Sequence, residues 1–407
     1  MSGPTALPQD PLEKSRLRLE WRDRKLELSA PYSVFSNTWI DQGTLLLLEN
    51  LPSGEPGTFL DLGCGYGALG LPIAAALPAS RGLLVDRDLL AVAYTRKNVI
   101  PNRVRNVSVV GSLGYRGIPS AWGAFDWILS NLPARAGDRA FAHFLAEGAR
   151  RLAPGGSMRV VVIAPLAPGI ESLAKSLGLV CEIVAATEQH AVLAISGVGT
   201  IAAGDAAVDT DTGEEAVYHR DTIEVSLAGL AKPLRLLRPT DLADEPHRLA
   251  ESVPFLAESL PKALPEGASI LVFRCGYGLL PALVLERFPG ASVVAVDRDL
   301  LGTEFTRRNC AVGSDRLSVI ESASLDEALQ AGPYDLVVGE LLSPLGLAGT
   351  ALELAQARRA LKPGGTAMVA GHKKTWRELR EAEPGATAWQ RVIAGEAAAV
   401  FAASCVV

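Results

Sequence analysis

Polar and apolar residues alternate at every second position in Arg16-Leu17-Arg18-Leu19-Glu20-Trp21 and again in Lys25-Leu26-Glu27-Leu28-Ser29. Asp23-Arg24 lies between the two runs, so the pattern predicts a β-hairpin. From residue 41 the pattern changes. Asp41-Gln42-Gly43-Thr44 leads into Leu45-Leu46-Leu47-Leu48, which reads as an apolar helix capped by Asp41 or Thr44. Phe59-Leu60-Asp61-Leu62 predicts a buried strand, the glycine-rich turn Gly63-Cys64-Gly65-Tyr66-Gly67 follows, and Leu69 to Leu77 reads as a helix. Strands are then predicted at Arg81 to Asp86, Val107 to Ser112, Phe125 to Ser130 and Met158 to Ile163. Helices are predicted at Leu90 to Asn98 and Phe141 to Leu152, the latter closed by the loop Ala153-Pro154-Gly155-Gly156. Alternating strands and helices imply an α/β fold, a parallel sheet covered on both faces.

The pattern then recurs. Cys64-Gly65-Tyr66-Gly67 returns as Cys275-Gly276-Tyr277-Gly278, Val85-Asp86-Arg87-Asp88 as Val296-Asp297-Arg298-Asp299, and Thr95-Arg96-Lys97-Asn98 as Thr306-Arg307-Arg308-Asn309, each 211 positions on. Leu152-Ala153-Pro154-Gly155-Gly156 returns as Leu361-Lys362-Pro363-Gly364-Gly365, 209 positions on. The expected organisation is an N-terminal extension and hairpin over 1–30, a first α/β domain over 31–200, a small, polar, acidic linker over 201–215, and a second copy over 216–407. Val272 replaces Asp61, Arg274 replaces Gly63 and Glu340 replaces Asn131, so the second copy reads as degenerate, keeping its core and losing its site; a second site of changed specificity is the alternative, since Asp297 remains.

Composition narrows the class. Of 407 residues 48% are hydrophobic and 21% charged, as in a folded chain. The net charge of −6 excludes a polybasic nucleic-acid binder, so any RNA contact would come from local patches. Candidates are Arg16, Arg18, Arg22, Arg24, Lys25, Arg96, Lys97, Arg103, Arg105, Arg135 and Arg139; most such charges form a solvated surface. No apolar run is long enough to cross a membrane, and the N-terminus lacks a signal-peptide pattern. A cytoplasmic protein is expected. The five cysteines form no CxxC pair, and the histidines have no metal-ligand spacing, so no metal site is expected.

Two stretches carry chemistry. Glycines 63, 65 and 67 let the backbone approach a ligand closely. Their Gly-x-Gly-x-Gly spacing differs from the dinucleotide fingerprint, and Asp61 just before them would repel a pyrophosphate but suits an ammonium group. Asp86 lies 19 residues after Gly67, where a carboxylate can accept both hydroxyls of a ribose; Asp88 reads equally as a helix cap. Asn131 ends a strand and is followed by Leu132-Pro133. An Asn oxygen and the next carbonyl can accept two hydrogen bonds from one NH₂ group, although Asn-x-Pro also reads as a simple turn.

These residues resemble class I S-adenosylmethionine (SAM) dependent methyltransferases of the small-domain superfamily, in particular the tandem ribosomal RNA guanine-N2 enzymes. The matching pieces are Val34-Phe35-Ser36, Asp41-Gln42-Gly43-Thr44, Asp61 to Gly67, Asp86 and Ser130-Asn131-Leu132-Pro133. The resemblance implies two tandem Rossmann-like methyltransferase folds, the second degenerate, and SAM as cofactor. It implies SAM contacts from Phe35, Thr44, Asp61, Gly63, Cys64, Gly65, Gly67, Asp86, Arg87, Ser112, Leu113 and Asn131, with Asn131, Leu132 and Pro133 holding the amine to be methylated. Structured RNA, ribosomal RNA or the small ribosomal subunit, is the implied partner. The chain departs from the family where Leu132 replaces a proline, Ala134 replaces the aromatic that stacks on the target base, and Leu113 replaces an Asp. The active copy also comes first. A protein glutamine or small-molecule amine as substrate, and a non-catalytic scaffold, are the competing readings.

Overall fold

The structure, a computed structural model, describes residues 10–197, 217–242, 252–341, 345–382, 385 and 388–404; the expected linker at 201–215 lies outside them. The chain divides into two compact units. One is Lys14–His219; the other is Arg220–Val407 together with the N-terminal residues up to Glu13.

In the first unit β1 (Glu13–Trp21) and β2 (Arg24–Pro31) form the expected hairpin. Its turn sits at Arg22-Asp23, one residue earlier than the sequence suggests. Both have positive φ, 43° and 57°, the geometry of a two-residue turn that matches the twist of its strands. Leu19, Leu26 and Leu28 point inward. After α1 (Gln42–Glu49) come β3 (Thr58–Leu62), α2 (Gly70–Ala76), β4 (Arg81–Asp86), α3 (Leu89–Val99), β5 (Val107–Gly111), β6 (Phe125–Asn131), α4 (Asp138–Arg150), β7 (Leu152–Ile163), α5 (Ala167–Ser176), β8 (Val180–Ala186) and β9 (His190–Ser196).

The strands form one seven-stranded sheet in the order β5-β4-β3-β6-β7-β9-β8. The first five run parallel; β9 is antiparallel to both β7 and β8. From β3 the chain steps outward to β5 and then returns to place β6 on the other side of β3. Ligands of open α/β sheets bind at the carboxyl edge beside such a reversal. The loop expected at Ala153 to Gly156 belongs instead to β7. Leu152 pairs with Phe125, the register slips, and pairing resumes at Ser157 opposite Trp127, so the Pro-Gly-Gly residues are accommodated as a bulge.

The second unit repeats this plan, with β10 (His219–Val225) and β11 (Leu234–Pro239) as a hairpin. Its sheet comprises β12 (Ser269–Phe273), β13 (Ser292–Asp297), β14 (Leu317–Glu321), β15 (Tyr334–Leu341), β16 (Leu361–His372), β17 (Gln390–Ala394) and β18 (Ala398–Ser404), in the order β14-β13-β12-β15-β16-β18-β17. Trp376 stacks on Phe401 with ring centroids 4.1 Å apart, and Trp389 packs beside them in the core. The expectation of two tandem Rossmann-like folds is met. Among the described residues no helix is long and apolar enough to cross a membrane.

Candidate active site

Register brings the two chemical stretches together. Asp61 on β3 pairs with Leu129 on β6, two residues before Asn131. Asp61 and the glycine turn that follows it therefore share one edge of the sheet with Asn131, on neighbouring strands.

The turn is held from within. Gly63 and Cys64 both donate their N–H groups to the Val85 carbonyl, at 2.8 and 2.9 Å, and the Gly67 N–H donates to the Cys64 carbonyl at 2.9 Å. The Gly65 N–H donates to Asp86 Oδ2 at 2.8 Å, while Asp86 Oδ1 accepts from the Asp88 N–H at 2.8 Å. Asp88 caps α3 through the Leu90 N–H. Gly63 has φ 82° and is exposed, with nothing within 4 Å of where a Cβ would stand; at Gly65 only Val34 comes near, at 4.0 Å. The face of the turn is therefore open at both glycines. Asp86 and Arg87 are half-buried at its rim.

Asp61 is 1% exposed. Its Oδ2 accepts from the Gly70 N–H at 2.8 Å, and its Oδ1 has no hydrogen-bond partner. Burial pushes its pKa up to about 7; the Gly70 bond opposes the shift and the nearby Asp86 adds to it. A buried carboxylate with one oxygen unsatisfied is stabilised by a cation. This is the feature that fits the ammonium of SAM, and the open glycine face fits its methionine chain.

Other expected contacts are placed differently. The Cys64 side chain is buried against Thr95 and its thiol is pushed up by burial, so Cys64 takes part through its backbone alone. Ser112 and Leu113 are both buried. The Ser112 hydroxyl donates to the Gly114 carbonyl at 2.6 Å and accepts from the Gly117 N–H at 2.8 Å, so it fastens the loop after β5. Phe35 is 72% exposed and Trp39 65% exposed. Their loop is tied down by the Tyr66 hydroxyl, which donates to the Ser36 carbonyl at 3.0 Å, and by the Ser36 hydroxyl, which donates to the Trp39 carbonyl at 2.7 Å.

Around Asn131 the Leu132 N–H is tied to the Val161 carbonyl at 3.0 Å, which extends the strand pairing past the Asn. Leu132 is buried; Pro133, Ala134, Arg135 and Arg139 are exposed. The Asn131 Nδ2 donates to Asp41 Oδ2 at 2.9 Å and to Thr44 Oγ1 at 3.2 Å. The same Asp41 oxygen accepts the Thr44 N–H at 3.0 Å and caps α1. Thr44, expected at the cofactor, directs its hydroxyl to Asn131. Sequence reasoning treated Asp41 as a cap; its bond to Asn131 spans 90 residues and has no local signature. Among the candidate basic residues, the Arg96 guanidinium is fixed by two bonds to the Val109 carbonyl, at 3.0 and 2.7 Å. Arg18 pairs with Glu27, and Lys25 with Glu20. Among the described residues no group of three or more His, Cys, Asp or Glu is placed to hold a metal ion.

The second unit keeps the turn and loses the opening. Asp297 bonds to the Gly276 and Asp299 N–H groups at 2.8 and 3.0 Å, just as Asp86 does. Arg274 stands at the first-glycine position with φ 52°, its guanidinium bonded to Glu353 at 2.9 Å, and Gly276 is buried. Val272 pairs with Val338, which sets Glu340, fully buried, in the place of Asn131.

The chain is 35% identical over 164 residues to a ribosomal RNA small subunit methyltransferase C of Pseudomonas putida strain W619, and 36% identical over 163 residues to that of Pseudomonas entomophila strain L48. Each match covers 39% of this chain and 48% of the relative, so the chain spans about half the length of the curated relatives it matches. A solved T. thermophilus 16S rRNA N2 methyltransferase, in complex with AdoMet and guanosine, superposes over 96% of this chain and 98% of its own with a TM-score of 0.65. At 18% identity that likeness establishes the two-unit fold. The model of the methyltransferase small domain matches residues 25–194 and 247–382, most of both units, and the chain belongs to that family.

Proposed function

We propose that the first unit is a SAM-dependent N-methyltransferase acting on an exocyclic base amine of ribosomal RNA, of the guanine-N2 type, in the cytoplasm. The observation that carries the reading is the buried Asp61 carboxylate, one oxygen unsatisfied, below an open glycine turn and on the strand beside Asn131. Asp61 would hold the ammonium of SAM, the Gly63–Gly67 turn its methionine chain, and Asp86 with Arg87 its ribose. Ser112 and Leu113 would bound the adenine through backbone and apolar surface, since the serine hydroxyl is engaged. Bound SAM supplies an electrophilic methyl group.

This chain's own contribution is orientation. Asn131 Oδ1 and the Leu132 carbonyl would accept both hydrogens of the amine, fixing the nitrogen lone pair. Proximity and alignment then supply most of the rate, and no covalent nucleophile is needed. The buried Cys64 thiol is in no state to serve as one. Ala134 offers no stacking face, whereas the exposed rings of Phe35 and Trp39 lie on the loop leading to Asp41, and a planar base suits such rings. The names of the matching relatives support ribosomal RNA of the small subunit as the substrate.

The test compares ribosomal RNA nucleosides from wild-type and gene-deleted cells by mass spectrometry. Loss of one methylguanosine, restored by the wild-type gene and not by Asn131→Ala, is expected. An unchanged profile would overturn the RNA reading and direct the search to protein or metabolite amines.

A further inference from the structure

We propose that Asp41 and Thr44 are positioning residues that lock the Asn131 amide in one orientation, so that the site accepts a hydrogen-bond donor, an amine bearing two hydrogens, and rejects an acceptor. The inference rests on the N-methyltransferase reading and deepens it.

An asparagine amide can be turned over with little change in shape, and each orientation selects the opposite kind of partner. Here the neighbours decide. Asp41 Oδ2 is an acceptor only and stands 2.9 Å from the amide, so the atom facing it is the NH₂ nitrogen. The second hydrogen goes to the Thr44 hydroxyl at 3.2 Å. Both amide hydrogens are then engaged, and Oδ1 is the atom left to meet a substrate. The motif spacing follows from the same contacts. A Cβ on Gly43 would stand 2.9 Å from Asp41 Oδ2 and 2.9 Å from His190 Cδ2, so glycine lets the cap, the helix start and β9 close together around the amide.

Capping alone does not account for Asp41, and the second unit supplies the control. There the equivalent helix, Val253–Ser259, begins after Ser252, whose side chain makes no capping bond. Pro254 stands for Gly43, Phe255 for Thr44 and Glu340 for Asn131. Both clamp residues, and the glycine between them, are lost together with the asparagine they surround. The cap of the next matched helix, Asp88 in one unit and Asp299 in the other, is kept.

The experiment measures methyl transfer to small ribosomal subunits from the deletion strain, with SAM affinity and melting temperature as controls. Asp41→Ser keeps a capping hydroxyl but is too short to reach Asn131, and kcat is expected to fall roughly 100-fold as orientation is lost. SAM affinity and melting temperature should stay at wild-type values. Asp41→Asn retains an acceptor oxygen at the same distance and should recover most of the rate. Thr44→Val, which leaves the cap intact, should lower kcat about tenfold, and it tests the clamp even if Asp41→Ser fails to fold. Full kcat in Asp41→Ser and Thr44→Val, with Asn131→Ala inactive, would overturn the clamp and leave the methyltransferase reading standing. Full activity in Asn131→Ala would overturn the clamp and the amine-holding role of Asn131, whereas no methyl transfer by the wild-type protein would overturn the methyltransferase reading itself.

Discussion

Thr95 donates to the Gly65 carbonyl at 2.7 Å in the first unit, and Thr306 donates to the Gly276 carbonyl at 2.8 Å in the second. Asn98 Nδ2 bridges the Ser29 and Tyr66 carbonyls, both at 2.9 Å, while its Oδ1 takes the Ser29 N–H at 2.8 Å. Asn309 does the same with the Leu237 and Tyr277 carbonyls at 2.9 and 2.6 Å and the Leu237 N–H at 2.7 Å. Against this background of matched ties stand the unmatched positions: Asp61 and Val272, Gly63 and Arg274, Asn131 and Glu340. The matched residues bind the chain to itself. The unmatched ones face what the first unit leaves open. The retained Asp297 illustrates the distinction, because its two backbone bonds give it structural work whether or not a ribose is ever present.

Five changes would sharpen or break this division. Gly63→Arg copies the second unit's residue into the first, and SAM affinity measured by calorimetry should fall at least about 100-fold, roughly 2.7 kcal/mol; unchanged affinity would remove the site from the turn. Asn98→Ala and Asn309→Ala should each destabilise the unit that carries them by about 2–3 kcal/mol in chemical denaturation, since each strands two carbonyls and an N–H. A large effect in one unit alone would end the claim that these ties are equivalent.

Asp61 gives a pH signature that Val272, in its place in the second unit, cannot give. Burial raises its pKa to about 7 from an ordinary 3.8, so the folded free protein holds the proton more tightly than the unfolded chain. Its contribution to stability is full below the unfolded value and is lost as the pH rises through about 7. Binding an ammonium requires the ionised form. SAM affinity should therefore rise by up to about tenfold per unit as the pH approaches 7 and level off above it, and Asp61→Asn should flatten the titration. The smallest effect is expected of Arg274→Gly. Loss of the partner of the largely buried Glu353 outweighs relief of a positive φ, for a net cost of about 1–2 kcal/mol. No SAM binding should appear in the second unit, because Val272 offers no carboxylate.

The sequence announces whatever is written within a few consecutive residues. The glycine turn, Asp61, Asp86 and the strand-ending Asn131 were legible because strand, turn and helix follow one another directly, and the repeat was legible because its spacing holds at 211 through three motifs and shifts only to 209 at the fourth. What needed three dimensions was of another kind. The Asp41–Asn131 bond joins α1 to β6 through space. Ser112 reads as a ligand contact until its hydroxyl is found tied at both ends. The second hairpin was hidden because its residues differ and its spacing slips: Leu237 takes the part of Ser29, 208 positions earlier. Pro154-Gly155-Gly156 announces a loop, yet the strand absorbs it as a bulge.

The internal bonding of the glycine turn bears on competition inside a cell. Loops that cradle phosphates do so with unspent N–H groups. Here the amides of Gly63, Cys64, Gly65 and Gly67 are already committed, and that of Gly70 is given to a buried acid. ATP and the dinucleotides share the adenosine of SAM but arrive with anions where this site presents a carboxylate. On the proposed assignment, the committed turn and the Asp61 carboxylate would together disfavour adenosine carriers whose tails are phosphates and leave the site to the one whose tail is an amino acid.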